Sequence, residues 1–233
     1  ARVAGVGEVI LCSPPGRNGL PSPAVLPACA IPKVDRVFAL GGAGAIAAMA
    51  YGTESVPRVD RIVGPGNAWV TEAKVQVAKA CAIDSPAGPS ELLVIADSSC
   101  DTAQVAREIL AQAEHDPLAC VVAVAVGDDV AAKIETALET MVGGYGRASI
   151  IKQALEANGG VISVDTLGAA VALSNAYAPE HLLLAVAAPD AILGDLRNAG
   201  TIFVGTTASV SFGDYMTGAN HTLPTNGLAR SYS

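Results

Sequence analysis

ELLVIADSSCDTAQVAREILAQAEHDPLACVVAVAV, Glu91 to Val126, is the stretch on which the fold turns. Leu92 to Ala96 is an unbroken apolar run of strand length, and Cys120 to Val126 is a second. Between them Thr102 to His115 carries apolar residues at helical spacing, with Asp101 placed to cap its first turn. A strand, a helix of more than ten residues and another strand make a βαβ unit, which requires parallel strands. Continuous apolar strands, rather than alternating ones, mean that both sheet faces are covered.

The same rhythm continues in both directions. Towards the N-terminus the pattern predicts strands at Val6 to Leu11, Val37 to Leu40 and Arg61 to Val63, with helices at Ala24 to Ala30 and from GGAG (Gly41 to Gly44) to about Tyr51. A further helix, Val70 to Ala80, follows the turn GPGN (Gly64 to Asn67), with Lys74 and Lys79 assigned to its wet face. Towards the C-terminus helices are expected at Asp128 to Met141, Ser149 to Ala157, Leu167 to Tyr177 and Pro189 to Asn198. Strands are expected at Val161 to Val164, Leu182 to Val186 and Thr201 to Val204. The fold class is therefore α/β: two Rossmann-like units with mostly parallel sheets flanked by helices, divided as 1–91 and 92–233.

Composition narrows the partners. Charged residues are 15% of the 233, against roughly 25% in an average soluble protein, and hydrophobic residues reach 51%. So little charge implies that much of the surface is covered by a partner subunit or by further parts of the polypeptide. The absent initiator Met and a buried strand near the first residue lead us to expect an internal piece of a longer protein. A net charge of -8 without a Lys/Arg cluster argues against nucleic acid and anionic membranes. No transmembrane helix is expected, since Val37 to Thr53 is short for a span and holds four glycines. Five cysteines without C-x-x-C read as small thiols of a reducing compartment.

Chemistry gathers where the few polar clusters are. The three histidines, His115, His181 and His221, lie in QAEHD, APEHL and GDYMTGANH, each with a carboxylate nearby. Imidazole and carboxylate together suit a divalent metal or a proton relay near neutral pH. Gln112 and His115 are three apart and share a helix face, and Asp214 offers a hard oxygen from a Gly-flanked turn. Glu180 and His181 follow Pro179 in a loop, where the two could address two ends of one substrate. Gly41, Gly42 and Gly44 open a helix in a way that admits a pyrophosphate, although tight βα turns use glycine anyway. Asn67 either caps its helix or faces a ligand. Ligands in such sheets bind beyond the carboxyl ends of strands. GGAG, GPGN and SFGDY fit that rule, whereas QAEHD and APEH lie ahead of strands and would join the same site only if the two units face each other.

These strings occur in a recognisable order. GGAGAIAAMAYGTESVPRVDRIVGPGNAWVTEAK, IDSPAGPSELLVIAD, QAEHD, NAYAPEHL and GDYMTGANHTLPTNGLAR resemble histidinol dehydrogenase over nearly the whole chain. The resemblance implies NAD-dependent oxidation of L-histidinol through L-histidinaldehyde to L-histidine, with one zinc per site, in a cytoplasmic homodimer (plastid in a plant). It implies Gln112, His115 and Asp214 as zinc ligands that meet the substrate through the metal, with Glu180 and His181 as the acid/base pair. Ser90 and His221 become substrate contacts, and Asn67 and the position of Gly44 NAD contacts. Gly44 departs from the Gln usual there. In the family a fourth zinc ligand and a substrate-binding Glu come from a C-terminal tail of the neighbouring subunit, so the 233 residues alone are expected to bind zinc weakly and turn over little. Two other readings stay open: a metal-assisted hydrolase using Glu180 as base, and a non-catalytic binding or dimerisation module.

Overall fold

The structure is a computed structural model that describes residues 1–215, 217–218 and 222–231. The chain divides into two compact units, Ala1–Pro86 and Ala87–Ser233. The division falls after Pro86, ahead of the strand that opens with Glu91.

The first unit runs β1 (Ile10–Ser13), α1 (Val25–Ala30), β2 (Arg36–Ala39), α2 (Gly42–Tyr51), β3 (Arg61–Ile62), α3 (Ala68–Val77) and β4 (Ala82–Ile83). β1 pairs with β2 and β3 with β4, both parallel. A small core of Ile46, Ala50, Ile62, Val77 and Cys81 joins α2, α3 and the second ladder. Asn67 caps α3, its side chain accepting from the Val70 N–H. At the start of α2, Gly41 lies so close to Pro14 that a Cβ there would sit 2.4 Å from Pro14 Cγ.

Lys74 corrects the helical-face reading: it is buried, not wet. Its ammonium meets the Asp84 carboxylate as an ion contact, not aligned as a hydrogen bond, and donates to the Gly64 carbonyl at 3.0 Å. The Gly64 N–H in turn donates to Asp84 Oδ2 at 2.8 Å. The cation thus belongs to the GPGN turn. Asp84, the counter-ion, just follows β4, a two-residue strand too short for apolar periodicity to reveal.

The second unit contains β5 (Glu91–Ala96), α4 (Thr102–Ala113), β6 (Cys120–Val126), α5 (Asp128–Val142), α6 (Ala148–Asn158), β7 (Gly159–Val164), α7 (Leu167–Tyr177), β8 (His181–Ala185), α8 (Asp190–Leu193), β9 (Thr201–Val204) and α9 (Ser211–Tyr215), then a 3-10 turn at Leu228–Arg230. Its five strands form a parallel sheet in the order β7-β6-β5-β8-β9. The chain therefore winds outward from β5 in one direction, then crosses back to β8 and winds the other way, the doubly wound arrangement. All six residues of β5 are buried, as the apolar run requires. Leu92, Val94, Leu183 and Ala185 face one core with Val105, Ile109 and Leu110 of α4; Leu93, Ile95, Leu182 and Leu184 face another with Ala170 and Val171 of α7. Asp101 caps α4 by accepting from the N–H groups of Ala103 and Gln104.

Two elements differ from expectation here. The helix anticipated over Pro189 to Asn198 stops at Leu193, before Gly194, a residue that holds helices poorly. SFGDY, read as a turn, is the short helix α9, with a glycine at its centre. No helix among the described residues is long and apolar enough to cross a membrane.

Candidate functional site

In a doubly wound sheet the usual ligand crevice lies at the carboxyl ends where winding reverses, here β5 and β8. That end is tied together: Asp97, just past β5, accepts from the Ala187 N–H at 3.0 Å and from the Ser99 hydroxyl and N–H. The polar cluster sits at the opposite, amino edge, where Glu91, Glu180 and His181 start β5 and β8.

Register explains how. Leu92 pairs with His181, so His181 shares the sheet face of Leu92 and Leu183 on which α4 packs. Glu91, one residue earlier, begins the other face. Glu180 and Glu91 hold each other through the backbone: the Glu91 N–H donates to Glu180 Oε2 at 2.8 Å, and the Glu180 N–H to Glu91 Oε2 at 3.3 Å. His181 Nδ1 lies 3.1 Å from the Glu91 carbonyl and 3.5 Å from Glu180 Oε2. Both partners can only accept, so Nδ1 carries the proton and Nε2 keeps the lone pair in the neutral ring. Burial alone would lower the His181 pKa, but the hydrogen bond and charge of Glu180, the Glu91 carbonyl and the charge of Asp214 together lift it above the ordinary value. The His181 and Phe203 ring centroids are 5.9 Å apart.

The segment after β9 reaches the same edge, and does so within the second unit. It leaves the carboxyl end at Gly205, whose N–H donates to the Leu184 carbonyl, and passes α4 where the Val210 N–H donates to Glu108 Oε2. Gly213 of α9 then packs so tightly on Phe203 that a Cβ would lie 2.9 Å from its ring. Asp214 follows, and its charge is felt at His181. Farther on, the Asn226 N–H donates to Glu91 Oε1 at 2.8 Å and the Gly88 N–H to Thr225 Oγ1. The expectation that SFGDY stays at a carboxyl end, and that APEH needs a second unit to meet it, is corrected: this returning segment brings Asp214 to His181 within one unit.

Gln112 and His115 close α4 at the same edge. Gln112 is 7% exposed in the last turn of α4. His115 is exposed, with Nδ1 2.9 Å from the Ala111 carbonyl, which puts the proton there and leaves Nε2 available. An amide oxygen and an imidazole oriented by a carbonyl, three residues apart at one helix end, are donors of the kind a metal takes. Among the described residues no three of His, Cys, Asp and Glu form a metal-holding group, and the expected set contains only two of those types. Ser90 is part-buried beside Glu91, its carbonyl accepting from the Cys120 N–H at 3.0 Å. Gly44 lies exposed in α2, and a Cβ there meets nothing within 4 Å. His221 lies outside the described residues.

Glu91 is the residue that sequence reasoning passed over. Its signal was a carboxylate opening a strand with no other polar residue. Burial pushes its pKa up, and the N–H groups of Asn226 and Glu180 pull against that. Glu91 also lines a cavity of about 580 Å³ with Cys120, Tyr177, Asn158, Asn226 and Arg230, which touches none of Gln112, His115, His181 and Asp214. There the Tyr177 hydroxyl donates to Cys120 Sγ at 2.9 Å, and burial drives the phenol pKa upward.

Sheet order and flanking helices define a Rossmann-like α/β protein with an acid–imidazole pair at the amino edge of its larger sheet. A propionaldehyde dehydrogenase from Clostridium phytofermentans shares the fold alone, at a TM-score of 0.53 and 14% identity over 97% of this chain and 71% of its own. A crystal structure of histidinol dehydrogenase from Elizabethkingia anophelis superimposes with a TM-score of 0.95 at 40% identity, over 100% of this chain and 54% of that one. The family model for histidinol dehydrogenase matches residues 1–233, so the chain belongs to that family. Histidinol dehydrogenases of Methanosarcina mazei and Xanthomonas euvesicatoria are 50% and 52% identical across 100% of the chain. The chain spans about half of each relative's length, 54%.

Proposed function

We propose that this chain carries the acid–base core of a dehydrogenase that oxidises L-histidinol through L-histidinaldehyde to L-histidine, using zinc and NAD. What carries the reading is the geometry of Glu180 and His181 in a chain of this family: a buried carboxylate beside an imidazole whose Nδ1 is engaged and whose Nε2 is left to act. NAD, when bound, accepts a hydride in each oxidation, and zinc, when bound, supplies a fixed positive charge that orients the substrate. Gln112, His115 and Asp214 would hold the zinc, Asn67 and the surroundings of Gly44 would face NAD, and Ser90 and His221 would contact the substrate. A second subunit completes the site in a homodimer.

In the first oxidation His181 Nε2 takes the hydroxyl proton as the carbinol C–H leaves with its electron pair. In the second, Glu180 takes a proton from the water that adds to the aldehyde carbon. Its Oε2 is occupied by the Glu91 N–H, while Oε1 has no hydrogen-bond partner among the described residues and can address that water. Once the first proton has left His181 Nε2 for solvent, that nitrogen receives a hydroxyl proton of the hydrate as the second hydride departs.

Glu180→Gln in the full-length protein is expected to slow oxidation of supplied L-histidinaldehyde more than that of L-histidinol, and His181→Asn to slow both. Chelator-sensitive hydrolysis without any NAD requirement would replace this reading with that of a metal-assisted hydrolase.

A further inference from the structure

We infer that Glu91 is a positioning residue for the Glu180–His181 pair, holding the carboxylate and the ring in register through its side chain and its own peptide. The inference rests on the roles proposed above for Glu180 and His181. Glu91 is 5% exposed at the head of a strand whose six residues are all buried. A carboxylate there is costly unless its oxygens are hydrogen-bonded. Each oxygen receives one backbone N–H, Oε1 from Asn226 and Oε2 from Glu180. Its N–H and carbonyl meanwhile engage Glu180 Oε2 and His181 Nδ1. One residue thus joins β5, the residues that open β8 and the returning C-terminal segment. Both of its oxygens must accept, and only a carboxylate offers two acceptors of this shape.

That requirement makes Glu91→Gln informative. The amide has nearly the same volume but one acceptor, so either the Glu180 or the Asn226 N–H faces an NH2 group. Displacement of Glu180 then carries through the Glu91 N–H to its Oε2 and through the Glu91 carbonyl to His181. A simple packing role predicts the same loss whatever stands at position 180; a positioning role predicts that the loss shrinks once the Glu180 carboxylate is gone.

The test is a double-mutant cycle in the full-length protein: wild type, Glu91→Gln, Glu180→Gln and both together. Single-turnover NADH formation from supplied L-histidinaldehyde, the oxidation in which Glu180 is the proposed base, is followed at high enzyme concentration, so that slow variants stay measurable. Glu91→Gln alone should lower the rate about 10- to 100-fold, the scale of a small misplacement of a reacting group, with KM changing less than about threefold. Added to Glu180→Gln it should cost less than about threefold. An unchanged rate in Glu91→Gln, or an equal loss in both backgrounds, overturns the inference. Glu180→Gln with a wild-type rate would instead overturn the functional reading beneath it. Glu91→Asp, which keeps the charge but shortens the reach, serves the same cycle if Glu91→Gln does not fold. Failure of both to fold would make Glu91 a folding residue and also overturn the inference.

Discussion

Replacing Lys74 by Met removes one partner of a buried ion pair and leaves the Asp84 carboxylate in place. Side-chain exposure is 3% for Lys74 and 11% for Asp84, so neither charge has water to fall back on. Breaking such a pair from one side costs about 3–5 kcal/mol. The Gly64 carbonyl also loses its ammonium donor, while its N–H keeps Asp84 Oδ2. Lys74→Met is therefore expected to destabilise the α3 region by about 3 kcal/mol or more, equivalent to roughly 150-fold faster amide exchange through local opening. Adding Asp84→Asn, which removes the stranded charge yet can still accept from Gly64, should recover part of that loss. The assay is hydrogen exchange of the full-length protein, read by mass spectrometry on peptides covering residues 61–85. Protection unchanged within about 0.5 kcal/mol in Lys74→Met would refute the reasoning and return Lys74 to the solvent, where surface substitutions have effects of that size.

Further outcomes follow from the site. Gly200→Ala would bring a Cβ to 2.6 Å from the Glu180 carbonyl oxygen, so it should cost about 1–3 kcal/mol in thermal unfolding and lower kcat; an unchanged Tm would deny that contact. Gly44→Gln meets open space in α2, so it should fold at least as stably, gaining up to about 1 kcal/mol from loss of a helical glycine, and should lower the KM for NAD. A weaker NAD response would remove position 44 from the cofactor site. Because the pKa of His181 is raised, its stabilising contribution is full below the unfolded histidine value and lost as pH rises through the folded one. With the neutral ring as the proposed base, kcat/KM should fall toward acid through a pKa above the ordinary histidine value. Glu180→Gln should move that limb to lower pH, and an unmoved limb in a pH–rate series would detach Glu180 from His181.

The fold was legible wherever apolar runs and caps were unambiguous. Cys120–Val126, Leu167–Tyr177 and Thr201–Val204 take the bounds their patterns predict, and Asp101 caps α4 as its position suggests. Short or mixed elements escaped. β4 has two residues and α9 five, lengths at which periodicity carries no information. Lys74 looked solvent-facing because a charge on a helix usually is, and its partner Asp84 follows a two-residue strand that the pattern did not reveal. At the site, the pairing of Glu180 with His181 follows from adjacency, whereas the contribution of Glu91 depends on strand register 89 residues away in sequence. The return of Asp214 to His181 depends on an irregular path with no repeat to read. Propensity reports local structure; these contacts are long-range.

The central claim is a four-electron oxidation on this acid–base pair. The direct measurement is NADH formed per L-histidinol consumed by the full-length protein, with and without a chelator. Two NADH per L-histidinol, lost on chelation and restored by zinc, is the predicted result. A folded, zinc-loaded protein that forms no NADH from L-histidinol would contradict it.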